Sequence, residues 1–93
     1  MKEKTRAHMI VSGRVQGVFF RQNTLNKAKE LGVFGWVKNL SDGRLEAVFE
    51  GEKKKVEEIV NWAEKGPVSA KVNDVRVEWQ EYKGEFKGFK LKY

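Results

Sequence analysis

Apolar residues along this sequence switch between two periods, two and about 3.6, in an order that few folds can satisfy. Arg6 to Ser12 alternates, with Ala7, Met9 and Val11 on one side and Arg6, His8, Ile10 and Ser12 on the other, the pattern of a half-buried strand. Two glycines then break the pattern in the loop Gly13–Phe19. From about Phe20 to Leu31 the spacing turns helical, with Leu25, Ala28 and Leu31 three apart and Gly32 as the stop. Val33 to Leu40 is aromatic and β-branched and reads as a strand. Ser41-Asp42-Gly43 is a turn signal, and Arg44 to Glu50 alternates again, so these two runs form a hairpin. Gly51 is expected to open a second helix carrying Val56, Ile59, Val60 and Ala63 on one stripe, ended by Lys65, Gly66 and Pro67. Ala70 to Gln80 returns to strand, with an irregularity at Asn73-Asp74. Phe89, Leu91 and Tyr93 suggest a short last strand after the polar loop Glu81–Glu85.

The order is β-α-β-β-α-β plus a terminal strand. That predicts an α+β, ferredoxin-like sandwich, with two helices on one face of a mostly antiparallel sheet. Ninety-three residues fill one domain, residues 1–93, with residues 1–5 as a loose N-terminal tail. Such a fold hosts many unrelated activities, so function has to come from a site.

Topology says where to look. Two strands of one sheet joined by a crossover helix run parallel, so the ends of the first two strands, near Ser12 and Leu40, lie at the same end of the sheet. Arg21, in the first turn of the first helix, and Asn39, at the end of the second strand, therefore share a neighbourhood with the loop from Gly13 to Phe20. Consecutive backbone N–H groups meeting a helix N-terminus make an anion cradle. Arg21 adds a planar fork that suits two phosphate oxygens. Spacing alone fits a plain turn with Arg21 solvated on the helix equally well. Asn39 likewise reads either as turn chemistry before Ser-Asp-Gly or as an amide that orients a water beside a phosphoryl group.

Composition removes other chemistries. The chain has no cysteine and a single histidine, His8, which excludes thiolate nucleophiles, Cys-based metal or iron–sulfur sites and any multi-His metal site. No metal or cofactor is expected. A net charge of +6 and a pI near 9.7 favour anionic partners without choosing among them. No apolar run approaches the roughly 18 residues of a membrane span. The polar start Met1–Arg6 lacks the apolar stretch of a secretory signal, so a soluble cytoplasmic protein is expected. Lys53-Lys54-Lys55, Arg14 and His8 read as solvated or structural groups, and Trp36, Trp62 and Trp79 as core or core-edge residues.

Two longer motifs then stand out. Val11-Ser12-Gly13-Arg14-Val15-Gln16-Gly17-Val18-Phe19-Phe20-Arg21 resembles the first signature of the acylphosphatases. Gly35-Trp36-Val37-Lys38-Asn39, followed by Gly43 and Gly51, resembles the second, with Leu45 where that family usually has valine. The resemblance covers about residues 6–93. It implies hydrolysis of acyl phosphates to a carboxylate and inorganic phosphate, by in-line attack of water without metal or covalent intermediate. By that likeness Arg21 and the backbone amides of Val15, Gln16, Gly17, Val18, Phe19 and Phe20 hold the phosphate, while Asn39 positions the attacking water. Inorganic phosphate or sulfate would occupy the same site. The expected partner is a small acyl phosphate, met by a monomer, with no nucleic acid or membrane involved. The competing readings of the same fold are an RRM-type nucleic-acid-binding domain and a non-catalytic domain that binds a small anion. Lys87-Gly88-Phe89 echoes the start of an RNP1 motif, but Lys90, Leu91 and Lys92 break it, and the third strand offers one aromatic, Phe49.

Overall fold

The computed structural model describes residues 3–93, and its elements follow the expected order. They are β1 (Lys4–Arg14), α1 (Phe20–Leu31), β2 (Phe34–Asn39), β3 (Leu45–Glu52), α2 (Lys53–Lys65), β4 (Lys71–Gln80) and β5 (Phe89–Lys92). The strands form one sheet in the order β4-β1-β3-β2-β5. All pairs are antiparallel except β2–β5. Ala7, Met9 and Val11 of β1 are fully buried, as are Leu45, Ala47 and Phe49 of β3, which fixes the helix-covered face of the sheet. Onto it α2 lays Val56, Ile59, Val60 and Ala63. Among the described residues no helix is long and apolar enough to cross a membrane.

Four details depart from the sequence reading. First, β1 starts at Lys4, and Lys4 and Thr5 pair with Glu52 and Gly51. The loose tail expected over 1–5 is thus shorter at its inner end, while Met1 and Lys2 lie outside the described residues. Second, the same pairing carries β3 through Gly51 to Glu52, so α2 opens at Lys53 rather than at Gly51. Third, the deeply buried stripe of α1 is Phe20, Thr24 and Ala28, with Leu25 and Leu31 packed beside the core. Fourth, Trp79 is 49% exposed on the outer strand β4 rather than set in the core.

The irregularity expected at Asn73-Asp74 is a β-bulge. Ser12 faces Asp74 but Gly13 faces Val72, leaving Asn73 extra. Gly13 sits there at φ 125°, and a Cβ on it would lie 2.2 Å from the Lys71 carbonyl oxygen. Only glycine allows this close approach, which bends the chain out of β1 and into the loop before α1.

At the far edge, β5 runs parallel to β2, with Gly35 opposite Phe89 and Lys38 opposite Lys92. The connection that delivers β5 is held from below by Glu50, whose buried carboxylate accepts from the backbone N–H groups of Lys83 (2.7 Å), Gly84 (3.2 Å) and Glu85 (3.2 Å). Arg6 donates to the same carboxylate at 3.3 Å.

Candidate active site

The loop between β1 and α1 opens onto a hollow of about 310 Å³ lined by Val15, Gly17, Phe19, Phe20, Arg21, Gln22, Asn39, Leu91 and Tyr93. Arg21 and Asn39, separated by 18 positions in the chain, therefore meet at one cavity, as the crossover argument requires. Arg14 is exposed and does not line it.

The loop is built to present donors. Gly17 takes the left-handed region at φ 72°, and Phe19 does so at φ 61°, the one non-glycine residue with positive φ among those described. For a side-chain-bearing residue that conformation costs about 1–2 kcal/mol. Among the described residues, none of the backbone N–H groups of residues 16–19 donates to another group of the protein. Helix α1 then starts without a side-chain cap and without an acidic residue in its first turn. Its first N–H groups are free and the positive end of its dipole is not neutralised. Nothing acidic lines the hollow, so the chain supplies no anion of its own to this cradle.

Arg21 is steadied without being used up. One Nη donates to the Lys92 carbonyl oxygen at 3.2 Å, and the guanidinium lies 4.8 Å from the centroid of the Tyr93 ring. Of the five N–H donors in a guanidinium, the others face no carboxylate among the described residues. Asn39 ends β2, paired with Leu45. Its Oδ1 is buried and has no hydrogen-bond partner. A buried acceptor without a partner is costly, and the residue that carries it lines the hollow. A hollow of this size has room for a phosphoryl group with a water beside it, a water's share being ~30 Å³.

Three contributions to the site carry no signal in the sequence. Gln16 donates through Nε2 to the carbonyl oxygens of Leu40 (2.7 Å) and Arg44 (2.9 Å), tying the loop to the β2–β3 turn. Ser69 Oγ donates to the Val18 carbonyl oxygen at 3.0 Å and ties the loop's other side to the segment before β4. Both bonds join residues far apart in the chain, and no local pattern marks them. The third is the edge at which β5 pairs, which brings Leu91 and Tyr93 to the hollow and the Lys92 carbonyl oxygen to Arg21. A fifth strand has to pair at a free edge of the sheet, and topology alone leaves β2 and β4 as candidates.

Of the remaining candidates, His8 bonds Glu46 at 2.7 Å on the open face of the sheet, a structural pairing away from the hollow. Phe49, the aromatic a base-stacking surface would need on the third strand, is buried on the helix-covered face. That leaves no stacking platform on β3. Among the described residues no group of three His, Cys, Asp or Glu side chains is placed to hold a metal ion.

Comparison with known proteins points the same way. The family model described as Acylphosphatase matches residues 7–91. A protein of Pelotomaculum thermopropionicum named acylphosphatase is 52% identical over 90 residues, spanning 97% of this chain and 98% of its own length. Among solved structures, an acylphosphatase from Coxiella burnetii superposes with a TM-score of 0.89 at 40% identity, over 96% of this chain and 93% of that one. The acylphosphatase from Bacillus subtilis gives 0.91 at 34% identity, over 96% and 99%.

Proposed function

The chain belongs to the acylphosphatase family, and we propose that Arg21, Asn39 and the amides of residues 15–20 are the groups with which it carries out that family's reaction. The activity itself, hydrolysis of the carboxyl–phosphate bond of acyl phosphates, follows from the match over nearly the whole chain and from relatives sharing 52% and 50% of its residues.

In this reading the phosphoryl oxygens sit on the loop amides of Val15, Gln16, Gly17, Val18, Phe19 and Phe20 and on the Arg21 fork. A water hydrogen-bonded to Asn39 Oδ1 lies in line with the scissile bond. Its oxygen bonds to phosphorus as the bond from phosphorus to the acyl oxygen breaks. The electron pair leaves with the carboxylate, and one water proton passes to a phosphoryl oxygen, giving a carboxylate and dihydrogen phosphate. Ordinary phosphate esters expel an alkoxide and react extremely slowly without help. A carboxylate leaves easily because its acid has a pKa of about 4, so no general acid is needed. What remains is placement of the water and stabilisation of charge on the phosphoryl oxygens, which this donor set supplies. The scheme uses neither a metal nor a covalent enzyme intermediate.

The observation that carries the assignment is the meeting of Arg21 and Asn39 at one hollow, with the Asn39 Oδ1 left without a hydrogen-bond partner. Arg21, Asn39 and the loop residues that the scheme uses all belong to a single copy of the chain, so a cytoplasmic monomer acting on a small substrate would need no residue from a partner. Inorganic phosphate and sulfate are expected to compete for the cradle.

The test is a continuous ultraviolet assay of benzoyl phosphate hydrolysis with excess EDTA present. Arg21→Ala should lose phosphate binding and about 10³-fold or more of the rate. Asn39→Ala should still bind inorganic phosphate while losing about 10²–10³-fold in kcat. Full activity in either variant removes that residue from its role. A strict metal requirement overturns the scheme, and phosphate binding without turnover would mark a non-catalytic domain.

A further inference from the structure

Next to the phosphate hollow lies a second one of about 390 Å³, lined by Phe19, Asn23, Trp62, Pro67, Val68 and Ser69. Phe19 borders both. On a surface where 34% of the chain's residues are charged, none of these six carries a charge. The ring of Phe19 is 78% exposed and the side chain of Val68 fully so. Burying either against a ligand would be favourable.

This shelf is fixed relative to the cradle. The Phe19 backbone sits in the left-handed region, which sets the direction of its ring at the junction. Trp62 meets Phe20 edge to face, with ring centroids 5.8 Å apart. The Pro67–Ser69 segment is closed by the Ala70 N–H donating to the Pro67 carbonyl oxygen at 2.9 Å, and Ser69 ties it to Val18 of the phosphate loop. Cradle and shelf therefore hold one spacing, as parts of a single preorganised site would.

We propose that the shelf binds the acyl half of the substrate, and that the preferred acyl phosphates carry an uncharged, flat apolar group such as an aromatic ring. This rests on the assignment of the neighbouring cradle to the phosphoryl group. With phosphate seated on the loop amides, the acyl substituent leaves the cradle past Phe19, whose ring offers an aromatic face, with Val68 and Pro67 beyond it. A second anionic group on the acyl part would come to rest among six residues none of which is charged. Acetyl phosphate is too short to reach the shelf.

The experiment compares KM for benzoyl, acetyl and succinyl phosphate, because KM reads binding of the acyl half while kcat also reads leaving-group acidity. The full chain should show a KM for benzoyl phosphate about tenfold below that for acetyl phosphate, with succinyl phosphate no better than acetyl. Val68→Ser should raise the benzoyl KM roughly threefold and leave acetyl phosphate unmoved. Val68→Lys should lower the succinyl KM by supplying the missing cation. Val68 is exposed and outside every secondary-structure element, so these variants keep the fold. Equal KM values for benzoyl and acetyl phosphate, or a benzoyl KM indifferent to Val68→Ser, overturn the shelf while leaving the hydrolase intact. Failure to turn over any of the three would remove the hydrolase assignment itself, and the shelf with it.

Discussion

Two regions of this molecule are built from the same parts, backbone N–H groups gathered in a bend and an arginine beside them, yet only one holds an anion of the chain's own. In the 83–85 bend three N–H groups close on the carboxylate of Glu50, which is 1% exposed. Arg6 completes that nest and is itself held by Gln80 at 3.0 Å, by Glu85 and by the Phe86 ring. In the 15–20 loop the amides and Arg21 surround a hollow lined by no acid. The physics of attraction is common to both, and what separates a structural latch from a binding site is whether folding has already supplied the ligand. A nest filled from within adds stability. A nest with no acid of the chain's own is where the proposed reaction would hold the substrate's phosphate.

That contrast breaks most visibly at Glu50. Glu50→Ala takes the anion from three backbone N–H groups and leaves Arg6 only the exposed Glu85 carboxylate, and it should cost about 2–3 kcal/mol in urea unfolding. Arg21→Ala, taken from the open nest, should change unfolding by less than about 1 kcal/mol, because nothing charged is left stranded. Comparable losses in the two variants would mean that the nests do not differ in the way the structure indicates.

A smaller effect sharpens the open side. Gln16 is the tether that keeps the 15–20 loop shaped, although both carbonyls it serves have another partner, since Gly43 N–H donates to Leu40 O and Leu40 N–H to Arg44 O. Gln16→Ala therefore strands no acceptor. It should cost only about 1 kcal/mol of stability but lower kcat/KM roughly tenfold, as the loop loosens. Gln16→Glu, whose carboxylate would face those carbonyls with no proton to donate, should fall below alanine. An alanine variant with unchanged kcat/KM would show that the loop holds its shape without the tether.

The two nests also differ in how legible they are in the sequence. Arg21 stands out because glycines, a helix start and a charge fall within a few positions, and the span of α1 is marked at both ends by Phe19-Phe20 and Gly32. Glu50 gives no such mark. It follows Phe49 in an alternating strand and reads as a solvent-facing residue, and only a bend more than thirty residues later covers it. The boundary between β3 and α2 fails for a related reason. Gly51 looks like a breaker, yet it lies opposite Thr5 because β1 is longer than its own periodicity suggests. Local periodicity records which face of an element is buried. It does not record long-range backbone partners, and those set the Glu50 latch, the Gln16 tether and the edge at which β5 pairs.

A second captured carboxylate completes the series at its weak end. In the β2–β3 turn Asp42 accepts from the Arg44 backbone N–H at 3.1 Å and from the Arg44 guanidinium at 2.8 Å, but it is exposed to solvent. The bond from the Arg44 N–H, together with the charge of its side chain, holds the Asp42 carboxyl below its ordinary value of 3.8. A carboxyl whose pKa is depressed by folding adds stability above the unfolded-state value, and loses it as pH falls through the folded-state value. The contribution of Asp42 is therefore full at neutral pH and disappears only in the acid range below about 3.8. Asp42→Asn, which keeps an oxygen for the backbone bond but not the charge, should be slightly less stable than the parent at pH 6. The gap should be the smallest of this set, since water screens the pair, and it should close as unfolding is measured at progressively lower pH. A gap that persists unchanged into strong acid would trace the loss to turn geometry instead of charge. That result would remove Asp42 from the gradation that runs, with burial, from this turn to the Glu50 nest.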